Sequence, residues 1–96
     1  MTYENLKKLL NGRKRKKLEN NTWGELHDNG IITVTLHKTV VVRAEPDGQF
    51  TLNSGGYRTA TTKDRISRYS PTLVWQKHGQ WFYGNGEEFQ DGVIVS

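Results

Sequence analysis

Apolar residues along this chain fall into short groups whose spacing changes from helical to alternating. Tyr3, Leu6, Leu9 and Leu10 recur at helical spacing, with Thr2 where an N-cap belongs and Asn11-Gly12 where a helix stops. This predicts a helix over about residues 3–11, too short to persist in water unless it docks. Leu18 and Trp23 are the apolar anchors of a heavily charged stretch, and residues 14–27 are expected to form a first strand. Asp28-Asn29-Gly30 signals a hairpin, because Asn-Gly tolerates the positive φ angles of a type I′ turn. Ile32, Val34 and Leu36 then share one face of a strand, with Ile31, Thr33, Thr35 and His37 on the other. Val40, Val42 and Ala44 continue it beyond a bulge expected near Lys38-Thr39.

Pro46-Asp47-Gly48 is a turn, and Phe50 with Leu52 starts another strand. Asn53-Ser54-Gly55-Gly56 breaks the pattern. A second short helix is predicted over about residues 62–69, capped by Thr61 or Thr62, with Ile66 and Tyr69 facing inward and Pro71 beyond it. Thr61 and Asp64 have the spacing of a capping box. Leu73-Val74-Trp75 and Trp81-Phe82-Tyr83 flank a last hairpin, and Val93-Ile94-Val95 reads as an edge strand open to a second copy. The expected class is α+β: a single domain over residues 1–96, with a mostly antiparallel sheet of five or six strands in meander hairpins and two short helices.

Composition changes this picture in one respect. Hydrophobic content is only 33%, so the three Trp, four Tyr and three Phe must supply much of the core. Trp75 and Trp81 are therefore expected inside. Absence of cysteine removes disulfides and thiolate metal sites. The longest apolar run, Val40-Val41-Val42, is far short of a membrane span, which points to a soluble intracellular protein.

Charge is distributed very unevenly. Residues 1–17 hold seven Lys/Arg against one acid, whereas the remaining chain has seven bases against nine acids. The net charge of +4 thus resides at one end, concentrated in Arg13, Lys14, Arg15, Lys16 and Lys17. Consecutive cations repel one another, and their natural counterpart is a phosphate backbone or another acidic surface. A solvated charged strand and a nuclear-import signal are the competing interpretations.

A second constellation runs from Ser54 to Arg65. A glycine loop enters a helix N-terminus, with Arg58, Lys63 and Arg65, then Arg68, nearby and with Thr61 and Thr62 able to donate to phosphate oxygens. Its spacing is not that of a Walker A loop. Structurally, the same residues simply turn the chain and cap a helix. Tyr57 and Trp23 are candidates for stacking on bases. His27, His37 and His78 have no ligand-cluster spacing, and Glu87-Glu88 with Asp91 reads as an acidic surface loop. No metal or cofactor is expected, and no catalytic triad order is visible.

Three segments carry a family resemblance: Lys17-Leu18-Glu19-Asn20-Asn21-Thr22, Leu36-His37-Lys38-Thr39-Val40-Val41, and Gly55-Gly56-Tyr57-Arg58-Thr59-Ala60-Thr61-Thr62-Lys63-Asp64-Arg65-Ile66. Across residues 13–83 the chain resembles a group of small proteins encoded by bacteriophages and prophages. That resemblance implies an accessory protein in a bacterial host cytoplasm and weakens the nuclear-import interpretation. The run at 13–17 is more basic than the resemblance implies; if it is peculiar to this chain, the shared activity lies in Asn20-Asn21-Thr22, His37-Lys38-Thr39 and the 55–65 loop.

The leading expectation is a non-enzymatic protein that binds nucleic acid or another phosphate-bearing ligand through residues 13–17, with Arg58, Lys63, Arg65 and Arg68 as a second patch. One alternative is an anti-defence protein that docks on a host defence protein or captures a nucleotide through the 55–65 loop. Another is a small phosphodiester-acting enzyme using His37, Arg58 and Lys63.

Overall fold

The computed structural model describes residues 1–96. Helix α1 spans Tyr3–Leu10, and Thr2 Oγ accepts from the Asn5 N–H at its start. Asn11 ends it in the left-handed region, which Asn tolerates better than most residues. Tyr3, Leu6 and Leu10 form its buried stripe.

The basic stretch is a hairpin rather than one strand. β1 (Arg15–Glu19) pairs antiparallel with β2 (Thr22–Leu26), because Asn21 takes φ +55° and reverses the chain. β2 then pairs with β3 (Ile32–Leu36). Their connection is not a type I′ turn: Asn29 keeps a negative φ, and only Gly30 is left-handed, at φ +86°. The Gly30 carbonyl accepts from the Tyr3 hydroxyl at 2.5 Å, docking α1 onto this turn. A type I′ backbone occurs instead at His78-Gly79, where both φ values are positive.

β4 (Thr39–Ala44) follows a tight His37-Lys38 connection, with His37 at φ +56°. The bulge lies inside β4, not at Lys38-Thr39. Val34 pairs with Val42 and Thr35 with Val40, leaving Val41 as the extra residue. Both Val41 and Val42 are consequently buried, while Val40 faces outward. β5 (Phe50–Leu52) and β9 (Val93–Val95) complete a six-stranded antiparallel sheet in the order β1-β2-β3-β4-β5-β9.

Between them, α2 (Ala60–Arg68) begins earlier than the sequence pattern suggested. Thr59 is its N-cap, extended at φ −105°, and its Oγ accepts from the Thr62 N–H at 3.1 Å. Thr61 and Thr62 therefore belong to the first turn, and Asp64 pairs with arginines instead of closing a capping box. β6 (Val74–Lys77), β7 (Gln80–Tyr83) and the short β8 (Glu87–Glu88) make a separate three-stranded sheet.

One cluster of 16 buried apolar residues unites these parts. It draws Leu6 and Leu10 from α1, Ile32, Val34, Val42, Phe50 and Leu52 from the large sheet, and Ile66 from α2. Val74, Trp81 and Phe89 come from the small sheet and its tail. All the helical contributions meet one side of the large sheet. Along its other side, the cross-strand row Arg15, Glu25, Thr33, Arg43, Thr51 and Ile94 contains no buried residue. The molecule is thus a plate of 41 × 27 × 17 Å with one face of its main sheet uncovered.

Candidate functional site

Strand alternation sorts the basic segment onto this plate. Lys17 pairs with Trp23 and Arg15 with Glu25, so both cations project from the uncovered face. The Arg15 guanidinium lies 4.0 Å from the ring centroid of the partly buried Trp23, in cation–π geometry. Lys16 points to the opposite side, where its Nζ donates to the Leu9 carbonyl at 2.9 Å. This cation serves the negative end of α1. Arg13, Arg15 and Lys17 have no carboxylate within 4.0 Å. Lys14 has only Asp28 at 3.8 Å, with both side chains almost fully exposed. The protein's own acids therefore leave most of this charge uncompensated. Arg43, which the Val42/Ala44 alternation places outward, adds a further cation to the same face.

The second patch is held quite differently. Glu19 at the end of β1 forms an ion pair with Arg65 at 3.2 Å and accepts from Arg68 and the Tyr69 hydroxyl, while Asp64 contacts both arginines. Arg65 Nε also donates to Thr22 Oγ1 at 2.9 Å. Burial, reinforced by the bond to Glu19, pushes the Tyr69 phenol well above its ordinary range. The nearby acids, Asp64 first, raise the exposed Arg68 guanidinium. Arg58 reaches across to Ser54 Oγ and Asp91 and rests over the Trp81 and Phe89 rings. Lys63 Nζ donates to Gln76. These four cations have intramolecular partners on the helix side of the sheet, so the two basic regions do not share a face.

The Ser54 end of the loop is fixed by Asp91. Burial alone would raise its carboxyl, but the Ser54 N–H and hydroxyl, Arg58 and the Gly56 N–H together hold it below the usual carboxylate value. Gly55 must be glycine for two reasons. Its φ is +62°, and a Cβ there would lie 2.5 Å from Thr39 Cγ2.

That close approach helps to form a cleft of about 630 Å³ on the helix side. Asn21, Leu36, His37, Lys38, Thr39, Val41, Ser54, Tyr57, Thr59, Thr61 and Thr62 line it. The three segments that carried the family resemblance thus meet in space. Asn21 and His37 are both left-handed, and the Asn21 carbonyl accepts from the His37 N–H at 2.7 Å. Of the residues nominated for phosphodiester chemistry, only His37 lines this cleft; Arg58 and Lys63 do not.

Other sequence assignments divide similarly. Trp81 is core, whereas Trp75 is 38% exposed and stacks on its cross-strand partner Phe82 at 4.8 Å, on the exposed face of the small sheet rather than in the core. Tyr57 is 65% exposed. His27 Nε2 lies 2.9 Å from Thr33 Oγ1, and His78 serves a turn. No three His, Cys, Asp or Glu side chains gather into a metal-binding group. No helix is long and apolar enough to cross a membrane.

Fold and surfaces together define a small α+β protein with an uncovered basic sheet face and a polar cleft behind it. The chain belongs to the Kyanoviridae Gp96 protein family, whose model matches residues 1–96, which bears out the phage resemblance. Neither the curated proteins nor the solved structures contain a match.

Proposed function

We propose that this phage protein is a non-enzymatic binder of nucleic acid that acts in the host cytoplasm and uses the uncovered face of its six-stranded sheet. One observation carries the reading: Arg13, Arg15 and Lys17 have no carboxylate partner, and Arg15 is stacked on Trp23 beside them. Lys14 adds a cation whose only acid is an exposed Asp28. An exposed ion pair of this kind is worth little against a phosphate backbone. The partly buried indole offers a surface on which a base can stack once Arg15 moves to a phosphate. The flat sheet has no protruding recognition helix for a major groove, so binding is expected to be weakly sequence-selective and to favour single strands.

Electrophoretic titration against single-stranded DNA and RNA at several salt concentrations tests this proposal. If Arg13, Lys14, Arg15 and Lys17 each displace one counterion, the log–log salt slope on a single strand is about −2.8. The double variant Arg15→Glu/Lys17→Glu should lower affinity at least about tenfold while leaving the melting temperature within a few degrees. Absence of retardation at low salt, or retardation indifferent to salt, would reject the reading.

A further inference from the structure

We propose that the cleft formed by the β1–β2 turn, the β3–β4 turn and the loop entering α2 is a second site, which binds a nucleoside monophosphate. This assignment is independent of the polyanion face. It rests first on composition: the lining contains no acid, and its one formal charge is the Lys38 ammonium. The same cleft is lined by the hydroxyl-bearing Thr39 and Thr61, by His37 on the turn that carries Lys38, and by Asn21 on the β1–β2 turn. A phosphate monoester has three terminal oxygens to distribute among such donors, and a carboxylate has only two.

The rest of the cleft suits the remainder of a nucleotide. Leu36 and Val41 are buried and give it an apolar floor, while the Tyr57 ring stands exposed at its rim as a stacking surface. Its volume of about 630 Å³ lies within the range typical of small-molecule sites. The walls are fixed rather than loose. The Asn21 carbonyl ties the two turns together through the His37 N–H. Gly55 packs directly on Thr39, and Asp91 anchors Ser54 through both its N–H and its hydroxyl, each at 2.8 Å. Cleft-lining Ser54 and Thr62 spend their hydroxyls on Asp91 and Thr59 respectively. The Lys38 ammonium makes no intramolecular hydrogen bond or ion pair and is left for the ligand.

Calorimetric titration with AMP, GMP, CMP and UMP, alongside adenosine and inorganic phosphate, provides the test. At least one monophosphate should bind about tenfold more tightly than either adenosine or phosphate. Lys38→Ala should weaken that binding about tenfold, and Tyr57→Ala should weaken the nucleotide while sparing phosphate. Both side chains are exposed, and unchanged melting curves would verify that each variant is folded. Arg15→Glu/Lys17→Glu should leave nucleotide affinity unaltered. The proposal is overturned if no monophosphate binds at millimolar concentration, or if phosphate alone binds as well as the nucleotides. Equal weakening by the sheet-face variant would likewise move the site to the polyanion surface and overturn it.

Discussion

Glu19 shows how one side chain changes the meaning of several others. It turns Arg65 and Arg68, which in sequence look available to a ligand, into members of an intramolecular network with Tyr69. Glu19→Ala should cost about 1–3 kcal/mol in urea unfolding, because it leaves the Tyr69 hydroxyl and the nearly buried Arg65 short of a partner. The raised Tyr69 phenol has its own pH signature. Its contribution is fully present below the unfolded value of about 10 and is lost as pH rises through the higher folded value. Unfolding measured from about pH 9 to 12 should show that decline setting in above about pH 10, and Tyr69→Phe should flatten it. Asp91 has the opposite sign, since its folded value lies below the unfolded one. Its contribution is present above about pH 4 and fades as pH falls through the folded value. Asp91→Ala should remove this acid-side loss and cost about 1–3 kcal/mol, because Ser54 is fully buried and would lose its acceptor.

Elements here are placed by their ends as much as by their interiors. Thr59, not Thr61 or Thr62, caps α2, and this sets which hydroxyls face the cleft. Thr59→Ala is expected to destabilise by about 1 kcal/mol, read as a lower midpoint in thermal unfolding. Gly55→Ala should cost more, about 1–3 kcal/mol, since it combines an unfavourable φ with the clash against Thr39. It should also disturb the amide resonances of Thr39 and Thr61 in NMR spectra. The outer strand β1 illustrates a different constraint. Its row of cations discourages edge-to-edge pairing of sheets, and the same cations suit a polyanion. The mobility titration separates these roles, because only phosphate contact gives a steep salt dependence.

Across the molecule, the two sheets share a core although they share no ladder. Trp81 of the small sheet belongs to the same buried cluster as Leu6 of α1 and Val42 of the large sheet. Thermal unfolding followed by far-ultraviolet dichroism, which reports both sheets, should therefore coincide with unfolding followed by tryptophan fluorescence. Separate midpoints would show that the small sheet unfolds on its own. The flat shape has a functional consequence as well. With all the helices on one side, the other side of the main sheet stays open, and the uncompensated cations lie along its margin.

Local patterns are strong enough in this sequence to give α1, the β3 alternation, the 46–48 turn, the 74–83 hairpin and the final edge strand. Each is fixed by neighbours a few residues apart through periodicity, caps and turn chemistry. The charge imbalance is equally legible, because it is a property of the chain rather than of its folding. Which cations stay free was decided only in three dimensions, where Glu19 and Asp64 meet Arg65 and Arg68 but no acid meets Arg15 or Lys17. Tertiary contact likewise brought Asn21, Lys38 and Thr61 to one cleft and left Trp75 outside while burying Trp81. Pairing and enclosure depend on residues far apart in the chain, and a one-dimensional pattern does not encode those distances.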